Sequence, residues 1–251
     1  MRWLQHWTDV LFVHVPVAPH ELVGWLPPGL KVDTYEGQAF LGLVGFRLKL
    51  RPFGLPFVLG LSSLLELNVR TYVRHHDAPG IVFLRMYADN RLAVTAAKLL
   101  TPLCYESAGM RAGRSASGQR QFVCKSARSN QVFDVAYDNE GPHRQPKPGS
   151  LSAWLVERYR LYVNTSGGLI AAEVAHPPWQ ISAVKVHSLR QTLTADIASA
   201  SGQCLVHHSP GVAATFQAFR PVDVISRRCR SQRAPRLARA RVLGRRLSGG
   251  A

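Results

Sequence analysis

The stretch from Leu65 to Arg74 alternates apolar and polar residues almost without interruption. Side chains of a β-strand point alternately to the two sides of its sheet. One face of the predicted strand therefore carries Leu65, Leu67, Val69, Thr71 and Val73. The other carries Glu66, Asn68, Arg70, Tyr72 and Arg74. The polar face either meets water, as in an ordinary two-sided sheet, or lines a pocket if the sheet closes into a barrel.

Similar stretches of β-branched and aromatic residues, bounded by turn-forming residues, predict many more short strands. They lie near residues 8–16, 31–35, 38–50, 81–88, 103–112, 121–127, 131–138, 159–164, 169–175, 181–189 and 212–219. Short helices are predicted at residues 19–26, between Asn90 and Pro102, and from Ser150 onwards. This pattern favours a mainly β (α+β) fold, a barrel or sandwich with a few short helices. An apolar loop rich in proline and glycine is expected at residues 51–61, as a lid, a rim or a packed segment.

The chain of 251 residues is long enough for one large β domain, and no internal repeat or linker divides residues 1–222. Its hydrophobic fraction of 46% is ordinary for a globular protein. No segment approaches the ~20 apolar residues that a membrane-spanning helix requires. Residues 1–7 lack the apolar centre of a secretion signal, so we expect a cytoplasmic protein without a transmembrane segment.

The formal net charge of +16 is typical of nucleic-acid-binding proteins, but it is unevenly distributed. Nine arginines and no acidic residue lie between Ser226 and Ala251. We therefore divide the chain into a domain at residues 1–222 and an arginine-rich, disordered tail at residues 223–251. The tail is either solvated without a specific partner or a nonspecific contact for nucleic acid or an anionic surface.

Common catalytic and cofactor motifs are absent from the sequence: there is no glycine-rich phosphate loop, no HExxH and no GxSxG. The four cysteines match no zinc spacing. The adjacent pairs His75-His76 and His207-His208 would point to opposite faces of a strand. We therefore expect neither a metal nor a cofactor. His176 precedes two prolines that stiffen the chain up to Trp179, and it belongs either to the core or to a pocket.

Several arginines are candidates for a buried charged site. Arg158 lies in the segment Glu157-Arg-Tyr-Arg160, which with Glu66 and Arg70 could form a buried ionic network. Such a network would either cap one end of a barrel or bind a ligand. Arg85 alternates with apolar neighbours on the strand at residues 81–88. An inward-facing arginine suits a carboxylate ligand, because its guanidinium donates two parallel hydrogen bonds.

The order of several longer motifs resembles a known family. They are Trp7-Thr-Asp-Val-Leu-Phe-Val-His14, Leu26-Pro-Pro-Gly-Leu30, Glu66-Leu-Asn-Val-Arg-Thr-Tyr-Val73, Glu157-Arg-Tyr159, His176-Pro-Pro-Trp179 and Ser209-Pro-Gly-Val212. In this respect residues 3–222 resemble the YqjF-like uncharacterised proteins, a family that is itself similar to acetoacetate decarboxylase. The resemblance implies a closed, cone-like β-barrel with a central cavity and a few short peripheral helices. It also implies that the polar face of Glu66 points inward.

Acetoacetate decarboxylase uses a lysine that forms a Schiff base with its keto-acid substrate. The corresponding stretch here resembles Leu103-Cys-Tyr-Glu106, which places Tyr105 at the position of the nucleophile. A phenol cannot form an imine, and Lys98 falls on the preceding helix. The resemblance therefore implies that the cavity persists whereas the decarboxylase chemistry does not.

These observations lead to two hypotheses. The first is a single-domain barrel that binds a small organic, anionic ligand, with or without a reaction that needs no Schiff base. Glu66 and Tyr105 are its candidate catalytic residues. The candidate ligand-binding residues are Glu66, Asn68, Arg70, Tyr72, Arg85, Tyr105, Arg158 and His176. The second hypothesis is a structural or interaction protein whose barrel is filled by its own side chains and whose basic tail contacts nucleic acid or anionic surfaces. The sequence leaves the ligand and the oligomeric state open.

Overall fold

The structure of the protein, a computed structural model, describes residues 3–51 and 63–222. The apolar loop predicted after residue 51 and the arginine-rich tail lie outside the described residues. In the described part, the chain forms thirteen strands, three short α-helices and one 3₁₀ turn.

The strands are β1 (Trp3–Val17), β2 (Lys31–Val32), β3 (Ala39–Arg51), β4 (Leu64–His75), β5 (Ala78–Ala88), β6 (Tyr105–Arg114), β7 (Arg120–Ser126), β8 (Val132–Arg144), β9 (Arg160–Thr165), β10 (Gly168–Ala175), β11 (Ile181–Gln191), β12 (Leu205–Phe216) and β13 (Arg220–Pro221). The helices are α1 (Pro19–Leu22), α2 (Arg91–Leu100) and α3 (Leu151–Val156), and the 3₁₀ turn at Val23–Trp25 follows α1. The side chains of Asn90 and Ser150 cap α2 and α3, each accepting a hydrogen bond from a backbone amide of the first turn. The predicted mainly β class with few short helices is confirmed.

All strands belong to one sheet, in the order β13-β10-β9-β5-β6-β7-β8-β11-β12-β1-β3-β4-β2. The strands do not form a simple open row, because β4 also pairs with β5, and β10 also pairs with β12. Two rings of paired strands result. One runs through β6, β7, β8 and β11, and the other runs through β9 and β10. Both rings contain β12, β1, β3, β4 and β5.

Four of these strands, β1, β3, β4 and β5, form what we call the shared wall. One of its faces packs in the main apolar core, with Leu43, Leu67 and Val69 against Phe122 and Phe133. The opposite face carries a second set of side chains, including Phe12 and Val44. Neither face of β4 is exposed from Leu64 to Val73. The structure thus decides between the two expectations for the polar face of β4, because this face is buried.

Irregular backbone occurs where β1 meets its two neighbours. Asp9 has a φ of 54°, and the pairing of β1 with β3 shifts register between Thr8 and Leu11. On β12, Gly211 is the cross-strand partner of Thr8 and has a φ of 120°. A Cβ at Gly211 would lie 1.9 Å from the carbonyl oxygen of Trp7, so this close approach of two backbones requires glycine.

Candidate functional site

The second ring of strands encloses a cavity of about 710 Å³. It lies against the shared wall and is completed by α2, α3, β9, β10 and the segment that follows β12. Its lining is mostly apolar and aromatic, which is typical of small-molecule sites. The polar lining residues other than tryptophan are Gln5, Glu66, Asn68, Arg70, Thr101, Tyr105, Arg158, His176 and Gln217.

Alternation along β4 places three of these polar side chains on the cavity face. Glu66, Asn68 and Arg70 lie at successive inward positions, opposite three residues of β3 in the antiparallel ladder. Their partners on β3 are Phe46, Val44 and Gly42. The strand therefore presents an acid, an amide and a guanidinium in a row along one side of the cavity.

Glu66 and Tyr105 form a hydrogen-bonded pair in this row. The Tyr105 hydroxyl donates to Oε2 of Glu66 across 3.0 Å, and Tyr105 is positioned by the parallel pairing of β6 with β5. Glu66 is only 4% exposed, and burial raises the pKa of its carboxyl to about 7 despite hydrogen bonds from Tyr105 and Asn68. Burial, reinforced by the nearby Glu66, raises the pKa of Tyr105 well above its usual value.

Arg70 is a buried cation that has no counterion among the described residues. It is 9% exposed and forms no ion pair with a carboxylate of the described residues. Its Nε and Nη2 atoms are buried and meet no well-aligned acceptor among the described residues, although the guanidinium interacts with the nearby Tyr72 hydroxyl. The guanidinium carbon lies 5.8 Å from the centre of the Phe12 ring. The expected pairing of Arg70 with Glu66 is therefore not formed.

Arg158 also lines the cavity, but its charge is compensated. Its Nη1 donates to Oδ2 of Asp33 across 2.8 Å, and its Nε donates to the carbonyl of Trp154 across 2.8 Å. Its guanidinium carbon lies 4.1 Å from the centre of the Trp154 ring, a cation–π contact. Asp33 also accepts from Arg74 at 2.7 Å, so one buried carboxylate serves two arginines.

The ionic network expected around residues 157–160 has different partners in the structure. Glu157 accepts hydrogen bonds from the Tyr159 hydroxyl and from the backbone amide of Trp179, whereas Arg160 pairs with Glu173. None of these contacts reaches Glu66 or Arg70. The segment fixes the position of Trp179 at the cavity wall instead of bridging to β4.

Tyr72 is fully buried beneath the cavity and does not line it. Its hydroxyl lies 3.0 Å from Nδ1 of His14, and His207 lies beside His14 with its Nε2 3.1 Å from Oγ of Ser152. Burial lowers the pKa of both imidazoles, that of His207 to about 4. Both rings are therefore neutral at pH 7, and His14 Nε2 and His207 Nδ1 have no hydrogen-bond partner.

His176 lines the cavity among aromatic rings, with its ring centre 5.0 Å from that of Trp179 and 5.9 Å from that of Trp7. Its Nδ1 lies 2.8 Å from the carbonyl of Pro177 and donates to it, because a carbonyl oxygen can only accept. Burial lowers the pKa of His176. Nε2 of the neutral ring is then left as an acceptor.

Arg85 lies on the other side of the sheet, which corrects the expectation that it lines the cavity. The pairing of β4 with β5 shifts register between Val69 and Arg70, so strict alternation along β5 is broken. Phe83 and Met86 both line the cavity, and Arg85 instead donates to the carbonyl of Leu193 and pairs with Asp196. A bulge of this kind leaves no mark in the alternation of the sequence.

Six of the eight residues proposed from the sequence line one cavity. They are Glu66, Asn68, Arg70, Tyr105, Arg158 and His176. The sequence patterns did not point to the buried Asp33 that compensates Arg158, to the neutral His14 or to the space left by Gly42. Only the glycine had a usable signal, since glycine inside a strand often marks a place where another group comes close.

Residues 3–51 and 63–222 contain no group of three or more His, Cys, Asp or Glu side chains that could hold a metal ion. None of the helices in these ranges is long and apolar enough to cross a membrane.

Residues 4–213 match the DUF2071 family of uncharacterized conserved proteins. The chain belongs to this family. It is 35% identical over 191 residues to the uncharacterized protein YqjF of Bacillus subtilis, an alignment that covers 76% of this chain and 79% of YqjF. The resemblance to YqjF-like proteins is thereby confirmed.

Solved structures with the same fold include acetoacetate decarboxylase-like proteins. The enduracididine biosynthesis enzyme MppR, solved in complex with pyruvate, superimposes with a TM-score of 0.64 at 14% identity, covering 87% of this chain and 89% of MppR. Acetoacetate decarboxylase from Legionella pneumophila gives a TM-score of 0.57 at 11% identity and covers 86% of each chain. At such identities the likeness establishes a common fold.

Proposed function

We propose that this DUF2071 protein binds a small organic anion in its cavity and that Arg70 is the anchor. The observation that carries the proposal is the charge of Arg70, which is only 9% exposed and pairs with no carboxylate of the described residues. Removing an ion from water costs several kcal/mol unless it is paired. A carboxylate that accepts two parallel hydrogen bonds would provide that pairing.

The neighbouring acids do not supply the missing charge. Asp33 already forms ion pairs with Arg158 and Arg74. Glu66 lies four residues away on β4, and its pKa of about 7 leaves about half of the carboxyls protonated at neutral pH. The cavity thus carries excess positive charge, which favours an anionic ligand.

The chemistry we propose for this site does not involve a Schiff base. Among the described residues that line the cavity there is no lysine, and Lys98 lies on the exposed side of α2. The Glu66–Tyr105 pair offers hydrogen bonds and an exchangeable proton, but not an amine. We also propose that the two rings of strands amount to the closed, cone-like barrel expected from acetoacetate decarboxylase. The return pairings of β4 with β5 and of β10 with β12 support this view.

The alternative of an interaction protein with a filled interior is less well supported. The side of the shared wall that faces β7 and β8 is packed, whereas the other side encloses 710 Å³ in contact with Glu66 and Tyr105. The basic tail on which that alternative depends lies outside the described residues.

The proposal can be tested by titrating the full chain calorimetrically with octanoate, and with octanamide as an uncharged match. We expect octanoate to bind and octanamide to bind at least about tenfold more weakly, because the amide cannot neutralise Arg70. Arg70→Met should abolish this preference for the anion. Arg85→Met, on the opposite side of the sheet, is the control and should retain it. Equal binding of acid and amide, or unchanged octanoate binding by Arg70→Met, would contradict the proposal.

A further inference from the structure

Building on the proposed function, we infer that the ligand is an elongated monocarboxylate with two polar ends. Its carboxylate lies on Arg70, an apolar body fills the middle of the cavity, and a distal uncharged oxygen, a hydroxyl or a carbonyl, meets the Glu66–Tyr105 pair. Medium-chain acids that carry a terminal hydroxyl or oxo group form the corresponding chemical class.

The first observation is the distance between the two polar positions. Glu66 and Arg70 are four residues apart on β4. A strand rises about 3.3 Å per residue, so their Cα atoms are roughly 13 Å apart. A short keto acid cannot reach both positions at once.

The Arg70 side chain does not shorten this distance, because it extends across β3 instead of along β4. Gly42 is the cross-strand partner of Arg70. A Cβ built on Gly42 would lie 3.2 Å from Cγ and 3.3 Å from Nε of Arg70. The stem of the arginine therefore lies over the bare backbone of Gly42, and the guanidinium stays at the level of its own residue.

Apart from Asn68, whose side-chain amide donates to Glu66, the cavity wall between these two positions is apolar. Phe12, Val44 and Met86 line it, with Phe83 opposite Arg70 on β5. A polar body placed here would lose its hydrogen bonds to water without replacement, whereas an aliphatic chain gains from burial. The middle of the ligand is therefore apolar.

The polar groups at the Glu66 end select an uncharged oxygen. Tyr105 donates to Oε2 of Glu66, and Asn68 also donates to this carboxyl. The buried Oδ1 of Asn68 has no hydrogen-bond partner. It can accept from a hydroxyl, and protonated Glu66 can donate to a carbonyl. A second carboxylate would instead be repelled once Glu66 ionises.

The test compares four probes by calorimetry on the full chain: butyrate, octanoate, ω-hydroxyoctanoate and suberate, the matching dicarboxylate. We expect octanoate to bind more tightly than butyrate, since it buries more apolar surface. The terminal hydroxyl should raise affinity about fivefold over octanoate, the effect of one net hydrogen bond of about 1 kcal/mol. Above pH 7, where Glu66 ionises, suberate should bind more weakly than ω-hydroxyoctanoate.

Two variants distinguish the distal contact from a general effect on the cavity. Combining Glu66→Leu with Tyr105→Phe should erase the advantage of the hydroxyl and preserve octanoate binding. Glu66→Gln removes only the charge, so it should preserve the hydroxyl advantage and reduce the discrimination against suberate. If the double variant does not fold, Glu66→Gln still tests the distal contact. Its two measurements are the affinity gain from the hydroxyl and the weaker binding of suberate.

The outcomes separate this inference from the proposed function. Octanoate binding that depends on Arg70, but without gain from the hydroxyl, would overturn the two-ended ligand and leave the anion site intact. Butyrate binding as tightly as octanoate would have the same meaning. Failure of the carboxylates to bind, or binding that Arg70→Met does not change, would overturn the proposed function itself and this inference with it.

Discussion

The hydroxyl of Tyr105 donates to Oε2 of Glu66 across 3.0 Å, and this bond joins the first residue of β6 to the cavity face of β4. The pair contains only oxygen groups. Its chemical behaviour is dominated by burial, which favours the neutral forms of both side chains.

The first prediction concerns the protonation of Glu66. The pKa of its carboxyl rises from an ordinary 4.5 to about 7 on folding, so the folded protein holds a proton that the unfolded chain releases. Its contribution to stability is present below pH 4.5 and is lost as the pH rises through 7. Relative to Glu66→Gln, the wild type should lose roughly 3 kcal/mol between about pH 4 and pH 8.5. Urea unfolding at both pH values measures this, with Glu140→Gln at an exposed position as control.

The second prediction uses two buried arginines that differ in their partners. Arg70→Met should stabilise the ligand-free protein by roughly 1 kcal/mol or more, because it removes an uncompensated buried charge. Arg158→Met should destabilise it by about 3–5 kcal/mol, because Asp33 then loses the more deeply buried of its two partners. Chemical denaturation of both variants tests the contrast. Equal losses of stability would mean that Arg70 is compensated in solution.

The third prediction concerns two glycines of β3 that face opposite sides of the shared wall. Gly42→Ala would crowd Cγ of Arg70 at 3.2 Å, and we expect octanoate binding to weaken about tenfold. Gly45→Ala would place Cβ 2.8–3.0 Å from ring atoms of Phe122 in the main core. It should lower the unfolding free energy by about 1–3 kcal/mol and leave the affinity unchanged. Calorimetry and urea unfolding measure both variants. If the assignment of the two faces is right, only Gly42→Ala weakens octanoate binding, and Gly45→Ala lowers stability without changing the affinity.

The fourth prediction concerns stability in mild acid. Burial lowers the pKa of His207 from 6.5 to about 4. Between these pH values the ring is protonated in the unfolded chain and neutral in the folded protein. Stability contributed by the neutral ring is present above pH 6.5 and is lost as the pH falls towards 4, by up to roughly 3 kcal/mol. The stability difference between wild type and His207→Gln should shrink over this range. His20→Gln, at an exposed position, is the control; a difference independent of pH would argue against a buried neutral ring.

The fifth prediction is that the protein forms no imine with keto acids. Incubation with acetoacetate and borohydride should leave the intact mass unchanged, because no lysine within residues 3–51 and 63–222 lines the cavity. Tyr105→Lys is a positive control that places an amine beside Glu66. An adduct on the wild type that disappears with Lys98→Arg would refute this prediction.

Local patterns were enough to predict the polar face of β4 and most strand positions, because alternation and turn residues are properties of neighbouring residues. The end of the chain was less clear from the sequence. A strand was predicted at residues 212–219, whereas β12 runs from Leu205 to Phe216. The segment Ser209-Pro-Gly211 is typical of a turn, yet here it continues the strand through a bulge that fits against Asp9.

The different environments of Arg70 and Arg158 could not be predicted from the sequence. Both arginines are buried in the same cavity, and only Arg158 meets Asp33, which lies 125 positions away along the chain. Such contacts depend on the three-dimensional arrangement of distant segments. The same holds for Arg85, whose orientation follows from one register shift in the pairing of β4 with β5.

The two buried faces of the shared wall also constrain how the lining of the cavity can evolve in this family. A residue change on the core face of β4, for example at Leu67, disturbs the spacing of Glu66 and Asn68 beside it, so selection for folding conserves the polar row indirectly. Exposed lining positions such as Leu100 and Gln217 lie on α2 and after β12, where substitutions disturb no core. Diversification among relatives should therefore concentrate at these exposed positions, and the buried row of Glu66, Asn68 and Arg70 should vary less.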